Sequence, residues 1–149
     1  MIETNTILTE ALMQALETMA FLTRMPLDEG IVPPENLVLA QISFTGPKIG
    51  TIQILAGMDF AKVLAGNIGA LDQTDDETAF DAMKELSNVT CGLLLPLIGS
   101  SPADVFNMTI PIVQTGQMSP AWDQFTADPE ACLLNIEGHM IATRLTTKQ

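Results

Sequence analysis

Residues 74–95 read TDDETAFDAMKELSNVTCGLLL, and this stretch decides how the rest of the chain must be arranged. Its opening, Thr74-Asp75-Asp76-Glu77, is an S/T-x-x-E capping box that places acids in the first turn of a helix, where the macrodipole favours them. The helix is expected to run to about Leu95, with Pro96 kinking or ending it and Gly99-Ser100-Ser101-Pro102 leading out. At 100° per residue, Ala79, Met83, Leu86, Thr90, Leu93, Leu94 and Leu97 cluster on one side. Asp81, Glu85, Asn88 and Gly92 fall within roughly 60° of one another on the opposite side. One helix therefore carries an anchoring face and an exposed polar stripe, and side chains on one stripe can act on one partner. Gly92 either marks tolerance near a helix end or lets another molecule approach closely.

Working outward, Leu8, Ala11, Leu12, Ala15, Leu16, Met19 and Leu22 recur at three- and four-residue intervals and predict an amphipathic helix over residues 6–24. Pro26, Gly30, Pro33 and Pro34 make residues 25–35 a loop. Residues 37–44 and 49–55 are rich in Val, Ile and Leu and are joined by Thr45-Gly46-Pro47-Lys48, which reads as a hairpin. Asp59 can cap a short helix, FAKVLAG, ending near Gly66 and Asn67. After the central helix, residues 105–115 read as a strand carrying Pro111, which implies an edge position or a bend. Residues 132–136 and 140–145 form a final hairpin about Glu137-Gly138. The expected fold class is α+β, with two long amphipathic helices and one short helix packed on a mixed, largely antiparallel sheet.

The 149 residues are 47% hydrophobic, enough to bury one core and too short for a second, so residues 1–149 read as a single domain. The longest apolar run, CGLLLPLIG, is far short of a membrane span, and MIETNTILTE lacks the basic flank and apolar core of a secretory signal, so a cytoplasmic location is expected. Eighteen acids stand against six bases, a net charge of −12. That surface repels nucleic-acid phosphates and anionic lipid and suits a partner with a basic face. Cys91 and Cys132 have no metal or redox spacing and read as buried thiols. His139 stands alone beside a turn, GNIG at Gly66–Gly69 lacks the Walker lysine, and most of the nine methionines, among them Met13, Met19, Met25 and Met83, are assigned to core packing.

The spacing Asp81-x3-Glu85-x2-Asn88-x22-Pro111 resembles the signature D/S-x3-E-x2-N-x22-P of the CheC, CheX and FliY family of bacterial chemotaxis phosphatases at all four positions. The order of elements is similar over nearly the whole chain. CheC-like members often repeat the Glu/Asn pair in the first helix. Here that place reads Met13, Glu17 and Ala20, without the second asparagine. There is no room for the extra domain of FliY-like members, so the resemblance is closest to CheX, a single-site member that is typically a homodimer.

The resemblance implies hydrolysis of the aspartyl phosphate of a CheY-like response-regulator receiver. Glu85 and Asn88 take the catalytic positions. An asparagine carboxamide is both donor and acceptor, suited to orienting the attacking water, while Glu85 would pair with the lysine beside the receiver's phosphoaspartate. Asp81, Gly92 and Pro111 are assigned to docking or support. The chain needs no metal of its own in this scheme, since the Mg2+ expected in the reaction is held by the receiver's acids. Two alternatives stay open: a noncatalytic receiver-binding or flagellar interaction module of the same fold, and a merely solvated polar face.

Overall fold

The computed structural model describes residues 2–69, 73–116 and 119–148. The chain order is α1 (Ile2–Ala20), β1 (Arg24–Met25), β2 (Leu37–Thr45), β3 (Ile49–Gly57), α2 (Met58–Gly69), α3 (Asp76–Ile98), β4 (Asn107–Met108), β5 (Ile112–Thr115), α4 (Trp122–Thr126), β6 (Cys132–Ile136) and β7 (His139–Lys148). The strands form one sheet in the order β1-β6-β7-β3-β2-β4, with β5 also paired to β2, and every pairing is antiparallel.

Alternation along the strands sorts side chains to two faces. Val38, Ala40, Ile42 and Phe44 of β2, with Ile52 and Ile54 of β3 and Ile141 and Leu145 of β7, join the main core beneath the three longer helices. Leu39, Leu55 and Ala142 point the other way and meet Trp122 and Phe125 of α4 in a smaller cluster. Arg144 lies over the Phe125 ring at 4.6 Å and pairs with Asp128 at 2.8 Å, tying α4 to the sheet. The Glu130 backbone N–H also donates to Asp128, and this bond together with the one from Arg144 holds the Asp128 pKa below that of an ordinary aspartate.

The two expected hairpins are present. Ile42 faces Ile52 and Gln41 faces Gln53 in β2–β3, and Glu137 and Gly138 turn β6 into β7 with φ of 49° and 96°. That double left-handed turn matches the strand twist and explains the glycine.

Several boundaries differ from expectation. α1 ends at Ala20 and not at Arg24, because Phe21 takes a left-handed conformation (φ 58°) and donates its N–H to the Glu17 carbonyl, closing the helix; Arg24 then enters β1. Helix α2 continues to Gly69, past the expected stop, since Asn67 uses its side chain to donate to the Ala20 carbonyl at 2.9 Å and so docks on α1. Asp59 lies in its first turn and does not precede it. The single strand expected at residues 105–115 is two short ones, β4 and β5, interrupted by Thr109-Ile110-Pro111. Both lie on the outer edge of β2, where a proline's missing N–H costs no ladder bond. Helix α4 adds an element to those expected, and among the described methionines Met83 is buried and Met13, Met19 and Met58 pack half-buried against the core, while Met25 and Met108 are exposed.

Candidate functional site

Helix α3 is held at its start by a reciprocal cap one residue later than the sequence signature suggests. Asp75, with φ −105° and ψ 179°, is the N-cap; its carboxylate accepts from the Thr78 N–H at 2.8 Å, while the Asp75 N–H donates to the Thr78 hydroxyl at 3.1 Å. Both Thr74-x-x-Glu77 and Asp75-x-x-Thr78 satisfy the spacing, and the backbone selects the second. The backbone and side-chain bonds from Thr78 lower the Asp75 pKa from the ordinary 3.8.

Beneath the stripe, Ala79, Met83, Leu86, Thr90, Cys91 and Leu94 are fully buried, and α3 packs on α1, α2 and β2. Burial pushes the Cys91 thiol up to about 11, so it is an inert thiol at neutral pH; Cys132 is half-buried. The expected apolar face fails at its far end. Leu93 is half-buried and Leu97 is 51% exposed. The helix does not stop at Leu95 but carries Pro96 within it and ends at Ile98, where the Gly99 N–H bonds the Leu95 carbonyl at 3.1 Å. So near the end, the proline removes only the N–H that would have reached the Gly92 carbonyl.

Asp81, Glu85, Asn88 and Gly92 are all exposed. The three side chains make no hydrogen bond or ion pair among the described residues, so their polar groups face solvent unengaged. The break between β4 and β5 brings the fourth motif residue to them. A shallow groove of about 360 Å³ is lined by Asp81, Lys84, Glu85, Asn88, Ile110 and Pro111. Pro111 thus forms the wall opposite the stripe, a placement that needs β5 to be fixed on β2 at Val38–Gln41.

Gly92 lies one turn beyond this groove. It lines a second groove of about 510 Å³ with Leu95, Pro96, Phe106 and Met108, and a Cβ added to it would meet nothing within 4 Å. Two residues of the site were not singled out in the sequence. Lys84 is half-buried between the stripe and Pro111, and Ile110 is 85% exposed at the rim. Their neighbours Glu85 and Pro111 were the only signal for them.

The arrangement offers a carboxamide, two carboxylates and an ammonium, with no histidine or nucleophilic hydroxyl lining the groove. Such groups bind and orient and do not act as a strong base. His139 is elsewhere, its ring edge-on to Phe60 at 5.8 Å, in a groove of about 300 Å³ with Glu35, Asp59 and Pro34. Among the described residues no group of three or more His, Cys, Asp or Glu is placed to hold a metal ion, and no helix is long and apolar enough to cross a membrane.

Comparison with solved structures shows the same fold in chemotaxis proteins. The chain is similar to CheX from Desulfovibrio desulfuricans (19% identity, 98% of this chain and 99% of that one, TM-score 0.73) and to CheX from Vibrio vulnificus (18%, 98% and 97%, 0.72). It is similar also to CheX of the CheX–CheY–BeF3–Mg2+ complex from Borrelia burgdorferi (15%, 97% and 97%, 0.68). A comparison with curated proteins found no match. The family model described as "Chemotaxis phosphatase CheX" matches residues 38–121, a span that holds the whole stripe, both grooves beside it and Pro111. The chain belongs to the CheX family of chemotaxis phosphatases.

Proposed function

We propose that this chain hydrolyses the aspartyl phosphate of a CheY-like receiver domain and so ends a chemotaxis signal. The observation that carries this reading is the assembly of unengaged Asp81, Glu85 and Asn88 with Pro111 around one open groove. An enclosed pocket would suit a small molecule; an open stripe on a convex helix suits insertion into a cleft on another protein. The CheY complex of the Borrelia relative, with BeF3 and Mg2+, supports a receiver as that other protein.

In this scheme Asn88 enters the receiver's phosphorylation site. Its carboxamide accepts a hydrogen bond from water and aims an oxygen lone pair at phosphorus, in line with the bond that breaks. The P–O bond to the aspartyl oxygen is cleaved, a water proton is released, and free carboxylate and inorganic phosphate result. Glu85, one turn earlier, pairs with the receiver's lysine and fixes the register of docking. Asp81 adds a second acidic contact, bare Gly92 allows the receiver's surface close to the helix, and Pro111 shapes the far wall. The Mg2+ is carried by the receiver's own acids. As a family trait the working form would be a homodimer, and the site of action the cytoplasm where receivers are phosphorylated.

The experiment is to follow phosphoaspartate decay in a receiver from the same organism with wild type, Glu85→Ala and Asn88→Ala. Wild type should accelerate decay and Asn88→Ala should leave it near background. Binding without acceleration would establish a noncatalytic docking module instead, and neither binding nor acceleration would reduce the stripe to a solvated face.

A further inference from the structure

Lys84 is placed where the site's charge balance is poorest. It lies between Asp81 and Asn88 on α3 and lines the site groove together with Glu85, Ile110 and Pro111. It also lines the adjoining groove of about 310 Å³, with Phe80, Pro111, Ile112 and Val113, so Lys84 and Pro111 are shared by both grooves. Two other cations of the chain are engaged, Lys62 with Asp76 at 3.3 Å and Arg144 with Asp128 at 2.8 Å. Lys84 makes no ion pair among the described residues, although Asp81 stands three residues before it and Glu85 next to it. Lys84 is half-buried, and its ammonium pairs with neither carboxylate.

We propose that Lys84 recognises the phosphoryl group of the docked receiver and gives the site its preference for the phosphorylated form. This rests on the reading of the site as a receiver phosphatase. The groove is lined by two carboxylates, one carboxamide and one ammonium, so when α3 docks Lys84 brings this groove's positive charge toward the phosphoryl group, beside the receiver's own Mg2+. Glu85 makes the need sharper. When it pairs with the receiver's lysine, it draws from the phosphoryl group one of that group's counter-charges. Lys84, the adjacent residue, returns a positive charge from the same helix turn. A lysine suits this role because its compact charge on a flexible stem reaches an anion without demanding a bidentate geometry.

The test measures binding of the receiver, both unmodified and treated with beryllofluoride and Mg2+, to wild type, Lys84→Gln and Lys84→Arg, alongside phosphoaspartate decay. An ammonium facing a phosphoryl anion in a wet, half-buried groove is worth about tenfold in affinity. Lys84→Gln should therefore bind the beryllofluoride form about tenfold more weakly and the unmodified receiver within about twofold of wild type. Its KM for decay should rise by a similar factor with kcat little changed, and Lys84→Arg should restore most of the loss. Equal weakening toward both forms would make Lys84 a general electrostatic contact and overturn the proposal, as would no change toward either. If wild type accelerates decay and Lys84→Gln does so with the same KM, only this proposal fails. If wild type neither binds the receiver nor accelerates decay, the reading of the site fails and takes the role of Lys84 with it.

Discussion

Gly92 offers a perturbation whose effects on stability and on docking run in opposite directions. It sits inside α3 with six helical residues after it, and glycine there costs about 0.8–1.0 kcal/mol relative to alanine through backbone entropy. A Cβ at this position meets nothing within 4 Å, so no packing penalty offsets the gain. Gly92→Ala should therefore stabilise the fold by about 1 kcal/mol and raise Tm by about 3–5 °C in a chain of this size. Thermal unfolding followed by far-UV circular dichroism measures it. Gly92→Leu also projects into open space and should fold with Tm within a few degrees of wild type, yet its side chain would stand between Asn88 and the groove at Leu95 and Phe106. Its kcat/KM toward phosphorylated receiver should fall by an order of magnitude or more, about 1.4 kcal/mol per factor of ten. A destabilised Gly92→Ala would show that the backbone needs glycine here. A fully active Gly92→Leu would show that nothing approaches the helix at this turn, and the docking role would be withdrawn.

Two further predictions concern titration and reactivity. The Asp75 pKa is lowered by its bonds from Thr78, so its contribution is complete above the ordinary value of 3.8 and is lost as pH falls through the lower folded-state value. Asp75→Ala should melt below wild type at pH 7, and the difference should close in acid below pH 3.8 as wild type loses its cap. Cys91 is fully buried with its pKa raised to about 11; at pH 8 an alkylating reagent should modify half-buried Cys132 first and reach Cys91 only after denaturant unfolds α3, as read by mass spectrometry. Rapid labelling of Cys91 in the native protein would contradict its place in the core.

How much of this was legible in the sequence depends on the range of the interactions involved. The polar stripe is a local property of one helix, so a wheel places Asp81, Glu85, Asn88 and Gly92 on the exposed side and the structure agrees. Hairpins are likewise local, and Glu137-Gly138 announces its own turn. Ends of elements are decided by competing bonds of similar strength. Asp75 and Thr74 both fit a capping box, and only the extended backbone at Asp75 with the Thr78 bonds chooses between them. Phe21 closes α1 in a left-handed conformation that its side chain disfavours, and no residue preference foretells it. Pro96 stays in the helix because so little helix follows it, and past it Leu97 leaves the core. Helix α4 has five residues, too few for periodicity, and is held by the Trp122 and Phe125 packing and the Arg144–Asp128 pair. The groove itself is a tertiary fact. It exists because β5 pairs with β2 and carries Ile110 and Pro111 back to the stripe, which is why Lys84 and Ile110 became visible only in three dimensions.

Single-turnover decay of receiver phosphoaspartate at saturating and subsaturating protein separates the water-positioning proposed for Asn88 from the docking proposed for Glu85. Asn88→Ala should still bind the beryllofluoride-treated receiver, yet at saturation leave decay near its spontaneous rate. Glu85→Ala should recover much of the wild-type rate once enough protein is present. Wild-type decay rates in Asn88→Ala at saturation would contradict the account, because the group placed at the phosphoryl site would then have no part in the chemistry.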